Sequence, residues 1–487
     1  MKKLIYKFAI LSLLLILMNW IYGKFLFKQD LLKHSDEVQL SWKMAEDSCE
    51  IVYTGESSNH SFSWSDNDRR KISDFVFDYF PDITTGDMTK DASHAEVYYY
   101  LLENIPETTP VKTVIVTMNL RSFGYDWIES DLETAIQKQL VLLKDNPPLF
   151  NRFKLAFKAY DIKTEKERSD ARAYHRRNEK ITFPYPFAYD NIDDWDYAKA
   201  CEGIVIDGKR NQPLTELACH YIKGYAFVIN DDNPRIKDFD RIVELAKERG
   251  WNVIFNLMAE NIDRANELVG NDLLYLMRKN RDYLINRYGT QENVTVVDNI
   301  GDVRNGLFID KNWTTEHYQE MGRRTIAENV AQALREYHPD NYVDNDNFKN
   351  PKNHYRIDLK SDSLNVNSSA PYGLTIIDKT SAIDSICEKV YISAKVFRET
   401  ESKEAAIVME LYKNGIKTHY DNLMLNDLTD ATGKWDFTTS VLPINTTFFN
   451  ADEFRVFLYN LSDAPIYIKS LDVSFEYDDY AITHPTP

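Results

Sequence analysis

Short apolar runs, most rich in β-branched residues and each ended by a polar turn, recur through residues 49–337. The first, Ile51-Val52-Tyr53, stops at Gly55, and Ser57 and Ser58 follow at once. Between the runs the spacing changes. Ile72, Phe75, Val76 and Tyr79 recur as on one face of a helix. The pattern predicts a strand over 81–87 closing at Gly86, a helix over 94–102 and a strand over 111–118 ended by Asn119. A helix over 132–143 follows. Regularity then lapses over 147–233, which predicts an irregular insertion such as a lid or substrate-binding segment. It returns with Phe239, Ile242, Val243, Leu245 and Ala246 on one helical face, stopped by Gly250. A strand over 252–258, a helix over 268–288 and a strand over 294–297 come next. Ile326, Ala327, Val330, Ala331 and Leu334 mark a closing helix. Alternating strands and helices predict an α/β domain: a parallel five-stranded sheet with right-handed crossovers, in a flavodoxin-like three-layer sandwich.

The two ends differ in texture. Residues 1–27 carry Lys2, Lys3 and Lys7 ahead of an apolar run that is unbroken from Leu13 to Met18. Extended through Leu4-Ile5 and Phe25-Leu26-Phe27, with Lys7 and Lys24 reaching to the interface, the run is long enough to span a bilayer. No small-X-small cleavage site follows it, so an uncleaved N-terminal transmembrane helix is expected, with the body extracytoplasmic. Residues 28–48 read as a tether or an initial helix, and 338–352 as an Asn/Asp/Pro-rich linker. Beyond it, β-rich runs at 390–396, 406–411, 454–459 and 466–475 alternate with turns such as Asn414-Gly415. These predict an all-β sandwich of jelly-roll type over 353–479, with a tail at 480–487. Its aromatics Trp435, Tyr459 and Tyr467 are candidates for stacking on sugar rings.

Composition narrows the chemistry. A chain of 487 residues exceeds one core. A net charge of −18 without a basic stripe argues against nucleic acid as a partner. The 4 cysteines form no CxxC motif, and Cys201 and Cys219 are equally readable as a disulfide or as two thiols. Nothing in the motifs calls for a metal or another cofactor.

The turns that end parallel strands gather on one sheet edge, where ligands of such sheets bind. That edge would hold Ser57, Gly86 and Asn119, with His317 arriving from the start of the closing helix. Acyl transfer needs a hydroxyl nucleophile, an imidazole to take its proton and donors for the oxyanion. Ser57 and His317 fill the first two roles, and the Gly86 backbone with the Asn119 side chain the third. The order Gly55-Glu56-Ser57, Gly86, Asn119 and His317-x4-Gly322 resembles the SGNH (GDSL-type) hydrolase superfamily. With its N-terminal anchor the layout is similar to DltD-like and alginate O-acetylation-like members.

The resemblance implies a serine esterase or O-acyltransferase working on an extracytoplasmic envelope polysaccharide. It implies as partner a membrane-bound O-acyltransferase that delivers the acyl group. The family's acid lies three residues before the histidine, where this chain has Thr314. The orienting carboxylate is then Asp310, if the loop is expanded, or Glu316. Arg121, just past Asn119, is a candidate for pairing with an anionic group of the substrate. The rival reading is a non-catalytic glycan-binding or scaffolding protein with a degenerate hydrolase core, which a Ser57–His317 separation beyond hydrogen-bond reach would favour.

Overall fold

Five short strands share one parallel sheet: β1 (Ile51–Gly55), β2 (Thr85–Thr89), β3 (Thr113–Met118), β4 (Asn252–Leu257) and β5 (Val294–Asp298). Their spatial order is β2-β1-β3-β4-β5, the flavodoxin-like arrangement that the alternation predicts. The computed structural model describes residues 2–144, 146–161, 163–344, 351–360 and 362–477. The expected tail at 480–487 and residues 345–350 of the expected linker lie outside the described residues.

Every residue of β1 and β3 is buried, because helices cover both faces of the sheet. Val52, Val114, Val116, Val253 and Phe255 belong to one core. Their alternating neighbours Ile51, Tyr53, Ile115 and Ile254 belong to a second core on the other face. Two cores around one sheet are the three layers. The second is closed by the helix Glu320–Arg335, whose Ile326, Ala327, Val330, Ala331 and Leu334 are fully buried.

The segment 147–233 is not irregular. It contains the helices Pro148–Ala156, Glu165–Asn178, Ile192–Glu202 and Gln212–Tyr225. The second of these has no apolar stripe, and ion pairs hold it instead. Arg168 meets Asp161 at 2.7 Å, and Arg176 meets Asp126 at 2.9 Å. Helices fastened by charge leave little hydrophobic periodicity to read. Residues 28–48, read as a tether or an initial helix, fall largely in the helices Phe27–His34 and Asp36–Glu46. Ahead of them, Lys2–Phe25 is a helix long and apolar enough to cross a membrane.

The C-terminal strands are β6 (His354–Asp358), β7 (Leu364–Val366), β8 (Tyr372–Lys379), β9 (Lys389–Arg398), β10 (Ala405–Lys413), β11 (Ile416–Met424), β12 (Trp435–Pro443), β13 (Glu453–Asn460) and β14 (Ile466–Glu476). They pair antiparallel in two sheets, β8-β13-β10-β11 and β12-β9-β14-β6, with β7 also on β14. Ile392, Ile407, Val456 and Leu471 lie in the core between the sheets. This is the all-β sandwich expected.

The sandwich is welded to the α/β body rather than tethered to it. Phe437 packs into the α/β core, with the guanidinium of Arg278 4.7 Å from its ring. Buried Asp436 meets Arg281 at 2.7 Å and Arg278 at 3.1 Å. These two cations hold its carboxyl below the usual range against the opposing effect of burial. Glu476, at the end of β14, accepts hydrogen bonds at 2.6 Å from the Asn305 amide and from the Gly306 backbone N–H.

Candidate active site

Ser57 opens a one-turn helix (Ser57–His60) directly after β1. The turn is tight: a Cβ on Gly55 would come within 3.0 Å of the Tyr53 ring and 3.1 Å of Asn59 Cβ. The sharp exit carries Ser57 Oγ to within 3.0 Å of His317 Nε2. His317 Nδ1 in turn lies 2.7 Å from Asp310 Oδ2. Serine, imidazole and carboxylate thus form a continuous hydrogen-bonded row.

A hairpin explains the last pair. Phe308 bridges Tyr318 antiparallel, with Ile309 N–H donating to His317 O at 2.9 Å and Gln319 N–H to Leu307 O at 2.8 Å. The chain leaves at Asp310 and returns at His317, so the two side chains face each other across its mouth. The Thr315 hydroxyl also donates to Asp310 Oδ2. His317 therefore lies in the loop before the helix Glu320–Arg335, not on it. Of the two candidate acids, Asp310 reaches the imidazole. Glu316 points the other way, into a buried pair with Arg121 at 2.8 Å.

The same contact draws Arg121, the candidate for an anionic group of the substrate, inward: its side chain is largely buried, paired with Glu316 and set 4.8 Å from the Trp127 ring. Gly86 is corrected. It is the second residue of β2, paired with Val52 deep in the sheet, where a Cβ would collide with the Met44 sulfur and with Cys49 Sγ at 2.7 Å. The strand end beside Gly55 is Thr89, and Lys90 N–H donates to Gly55 O at 3.0 Å. The turn that follows lies at the sheet edge where β1 ends, and its left-handed residue is Ala92, with φ +56°. No glycine marks it, which is why the sequence offers no signal there. Asn119 follows β3 at the same edge, and its Oδ1 is buried without a hydrogen-bond partner.

Three carboxyls lie buried behind the serine: Glu56, Glu260 and Glu316. Burial, and then the charge of Glu316, push Glu56 above the usual carboxylate range and Glu260 well above it. Tyr225 donates to Glu260 at 2.6 Å. For His317, burial works to lower the imidazole, but the hydrogen bond and charge of Asp310 outweigh it and raise the group above 6.5. Asp310 is correspondingly lowered by its hydrogen bond from His317.

Among the described residues, one group is compact enough to consider for a cation: His94, Glu96 and Glu133. Two cations already lie against it. Arg235 Nη1 lies 2.9 Å from His94 Nδ1, Gln137 donates to Glu133 at 2.7 Å, and Lys144 pairs with Glu96 at 2.8 Å. With a guanidinium and an ammonium already present, the group is an ion-pair network. All four cysteines are free, Cys201 exposed and Cys219 buried.

No family model matches the chain, and no curated protein matches it. Solved structures do align. A lipase/acylhydrolase from Enterococcus faecalis is 9% identical over 59% of this chain and 96% of that one, with a TM-score of 0.27. A two-domain esterase active on acetylated mannans is 10% identical over 90% and 93%, with a TM-score of 0.22. The VP2 subviral particle of infectious bursal disease virus is 16% identical at a TM-score of 0.18; the match covers 25% of this chain and about a third, 32%, of VP2. TM-scores this low establish neither shared fold nor shared chemistry.

Proposed function

We propose that this protein is a serine esterase or O-acyltransferase of the SGNH type, with an extracytoplasmic body acting on an acylated envelope polysaccharide. The observation that carries the reading is the row Ser57–His317–Asp310, at 3.0 and 2.7 Å. Ser57 Oγ attacks the acyl carbonyl while its proton passes to His317 Nε2, and Asp310 holds the imidazole with Nδ1 protonated and steadies the cation that forms. As the substrate's ester C–O bond breaks, His317 hands that proton to the departing alkoxide, leaving acyl-serine and a neutral imidazole; the acyl group is then released when His317 deprotonates water (hydrolysis) or a sugar hydroxyl (transfer) and returns the proton to Ser57 Oγ. The 3.0 Å separation also supports the catalytic reading over the non-catalytic scaffold.

Asn119 and the backbone of the turn after β2 follow the strands on either side of β1, at the edge where Ser57 sits, and are the proposed oxyanion donors. Asn119→Ala should lower turnover of p-nitrophenyl acetate about 10²- to 10³-fold, with KM little changed; turnover within threefold of the native protein would remove Asn119 from that role. A glycan substrate fits the mouth of the site. Trp313 lies between Asp310 and His317 in the chain, is 51% exposed, and its ring lies 4.1 Å from that of His220, tilted by 52°. Such an exposed aromatic face suits a pyranose ring. The N-terminal helix would hold the site at the membrane, where a membrane-bound O-acyltransferase would supply the acyl group. The test is an acyl-balance assay with an acetylated polysaccharide. Acetate release dependent on Ser57 indicates hydrolysis, and acetyl gain on an added unacetylated acceptor indicates transfer. Neither outcome with either carbohydrate would contradict the reading.

A further inference from the structure

The Ser57 hydroxyl has two neighbours and one proton. Glu56 Oε2 lies 2.8 Å from Oγ and His317 Nε2 lies 3.0 Å from it. Only one of them can receive the proton at a time. Glu56 is only 7% exposed, and its second oxygen, Oε1, is buried without a partner. No cation contacts this carboxyl among the described residues: the nearby guanidinium of Arg121 is spent on Glu316. A buried carboxylate without a cation is expensive, and the neutral acid is the form such surroundings favour.

We propose that Glu56 is a catalytic residue that works as a neutral acid, donating a hydrogen bond to Ser57 Oγ and so turning the hydroxyl's own proton toward His317 Nε2. The proposal rests on Ser57 being the nucleophile. With Glu56 protonated, Oγ accepts from Glu56 and donates to the imidazole, the arrangement that attack requires. With Glu56 ionised, the short O–H···O⁻ contact claims the hydroxyl proton. Nothing is then passed to His317, and a fixed negative charge opposes the charge that develops on the attacking oxygen.

Burial raises Glu56 first and the charge of Glu316 second; the Ser58 hydroxyl, the Ser57 hydroxyl and the Ser58 backbone N–H pull the other way without outweighing them. Tyr53 from β1, Tyr98 from the helix Ala95–Glu103, and Tyr318 and His317 from the hairpin all feel its charge. All three tyrosines are raised, so they stay neutral as Glu56 titrates. A carboxyl raised in this way keeps its proton at low pH and loses it as pH rises. Reactivity governed by Glu56 is therefore lost on the alkaline side, and the acid side is set by His317.

The experiment follows inactivation of the full-length, detergent-solubilised protein by a fluorophosphonate between pH 5 and 10. In that step the Oγ–P bond forms, the P–F bond breaks, fluoride leaves and the hydroxyl proton goes to His317 Nε2. The native rate should rise and then fall with pH. Glu56→Gln keeps a donor but cannot ionise. It should lose about three- to tenfold at the optimum and show no alkaline fall. Glu56→Ala, with no donor, should lose at least a further fivefold at every pH. The role is overturned if the native rate stays flat to pH 10, which needs no variant to fold. It is also overturned if Glu56→Gln is as slow as Glu56→Ala, or if its alkaline limb matches the native one. Ser57→Ala separates the two claims. Labelling that survives it overturns the nucleophile and Glu56 together, whereas labelling lost in Ser57→Ala with an unaltered profile in Glu56→Gln overturns Glu56 alone.

Discussion

Exchanging Asp310 for asparagine should lower turnover about 10⁴-fold while leaving the fold intact. Asp310 accepts from His317 Nδ1 at 2.7 Å, and that bond fixes the tautomer in which Nε2 is free to take the serine proton. An asparagine amide presented to Nδ1 stabilises the opposite tautomer. The pH dependence should move as well. His317 is raised above 6.5 because Asp310 overrides the effect of burial, and the imidazole must be neutral to act as a base. Native activity should therefore rise with pH through a midpoint above 6.5, and the residual activity of Asp310→Asn should rise through a lower one. A loss of less than tenfold, or an unmoved midpoint, would show that Asp310 does not orient the histidine.

Arg323→Ala should destabilise the α/β body by about 3–5 kcal/mol, read as a fall in the unfolding free energy from urea titration. Its guanidinium is completely buried and ties the segment after the nucleophile to the segment after the base. It donates to the carbonyls of Ser61 at 3.1 Å, Asp68 at 2.7 Å, Arg70 at 3.0 Å and Tyr318 at 2.7 Å, and pairs with Asp66 at 2.9 Å. Truncation would strand four carbonyls and a carboxylate whose side chain is 4% exposed. Lost hydrogen bonds to a charged group and an unpaired buried charge act in the same direction. A change below 1 kcal/mol would mean that water replaces the guanidinium at no penalty.

The sheet was legible because strands buried on both faces must be apolar throughout. Ile51 to Tyr53, Val114 to Val116 and Val253 to Phe255 leave no other reading. The first strand's end was legible for a local reason, since Gly55 and Ser57 are neighbours in the chain. Gly86 misled because its small size serves packing against Met44 and Cys49, not a turn. The true turn after β2 bends at Ala92, a residue type that announces nothing. Within 147–233 the helix Glu165–Asn178 was hidden because charge pairs hold it in place of an apolar stripe, whereas Gln212–Tyr225 does carry one in Leu214, Leu217, Ala218, Tyr221 and Ile222 and was legible but passed over. Asp310 was visible only as one of two acids, since choosing it requires the Phe308–Tyr318 bridge. The Arg121–Glu316 pair joins residues 195 apart, and nothing in either neighbourhood points to the other. In the sandwich, β12 was missed because a charged residue, Asp436, is buried beside Phe437 against the arginines of the helix Asn271–Tyr288 and breaks the apolar pattern.

The central claim is that Ser57 is a nucleophile activated by His317 and Asp310. Peptide mass mapping after fluorophosphonate treatment tests it most directly. One adduct should appear, on Ser57; it should vanish in Ser57→Ala and persist in Ser58→Ala. An adduct on another residue, or labelling of native protein and Ser57→Ala to the same extent, would contradict it.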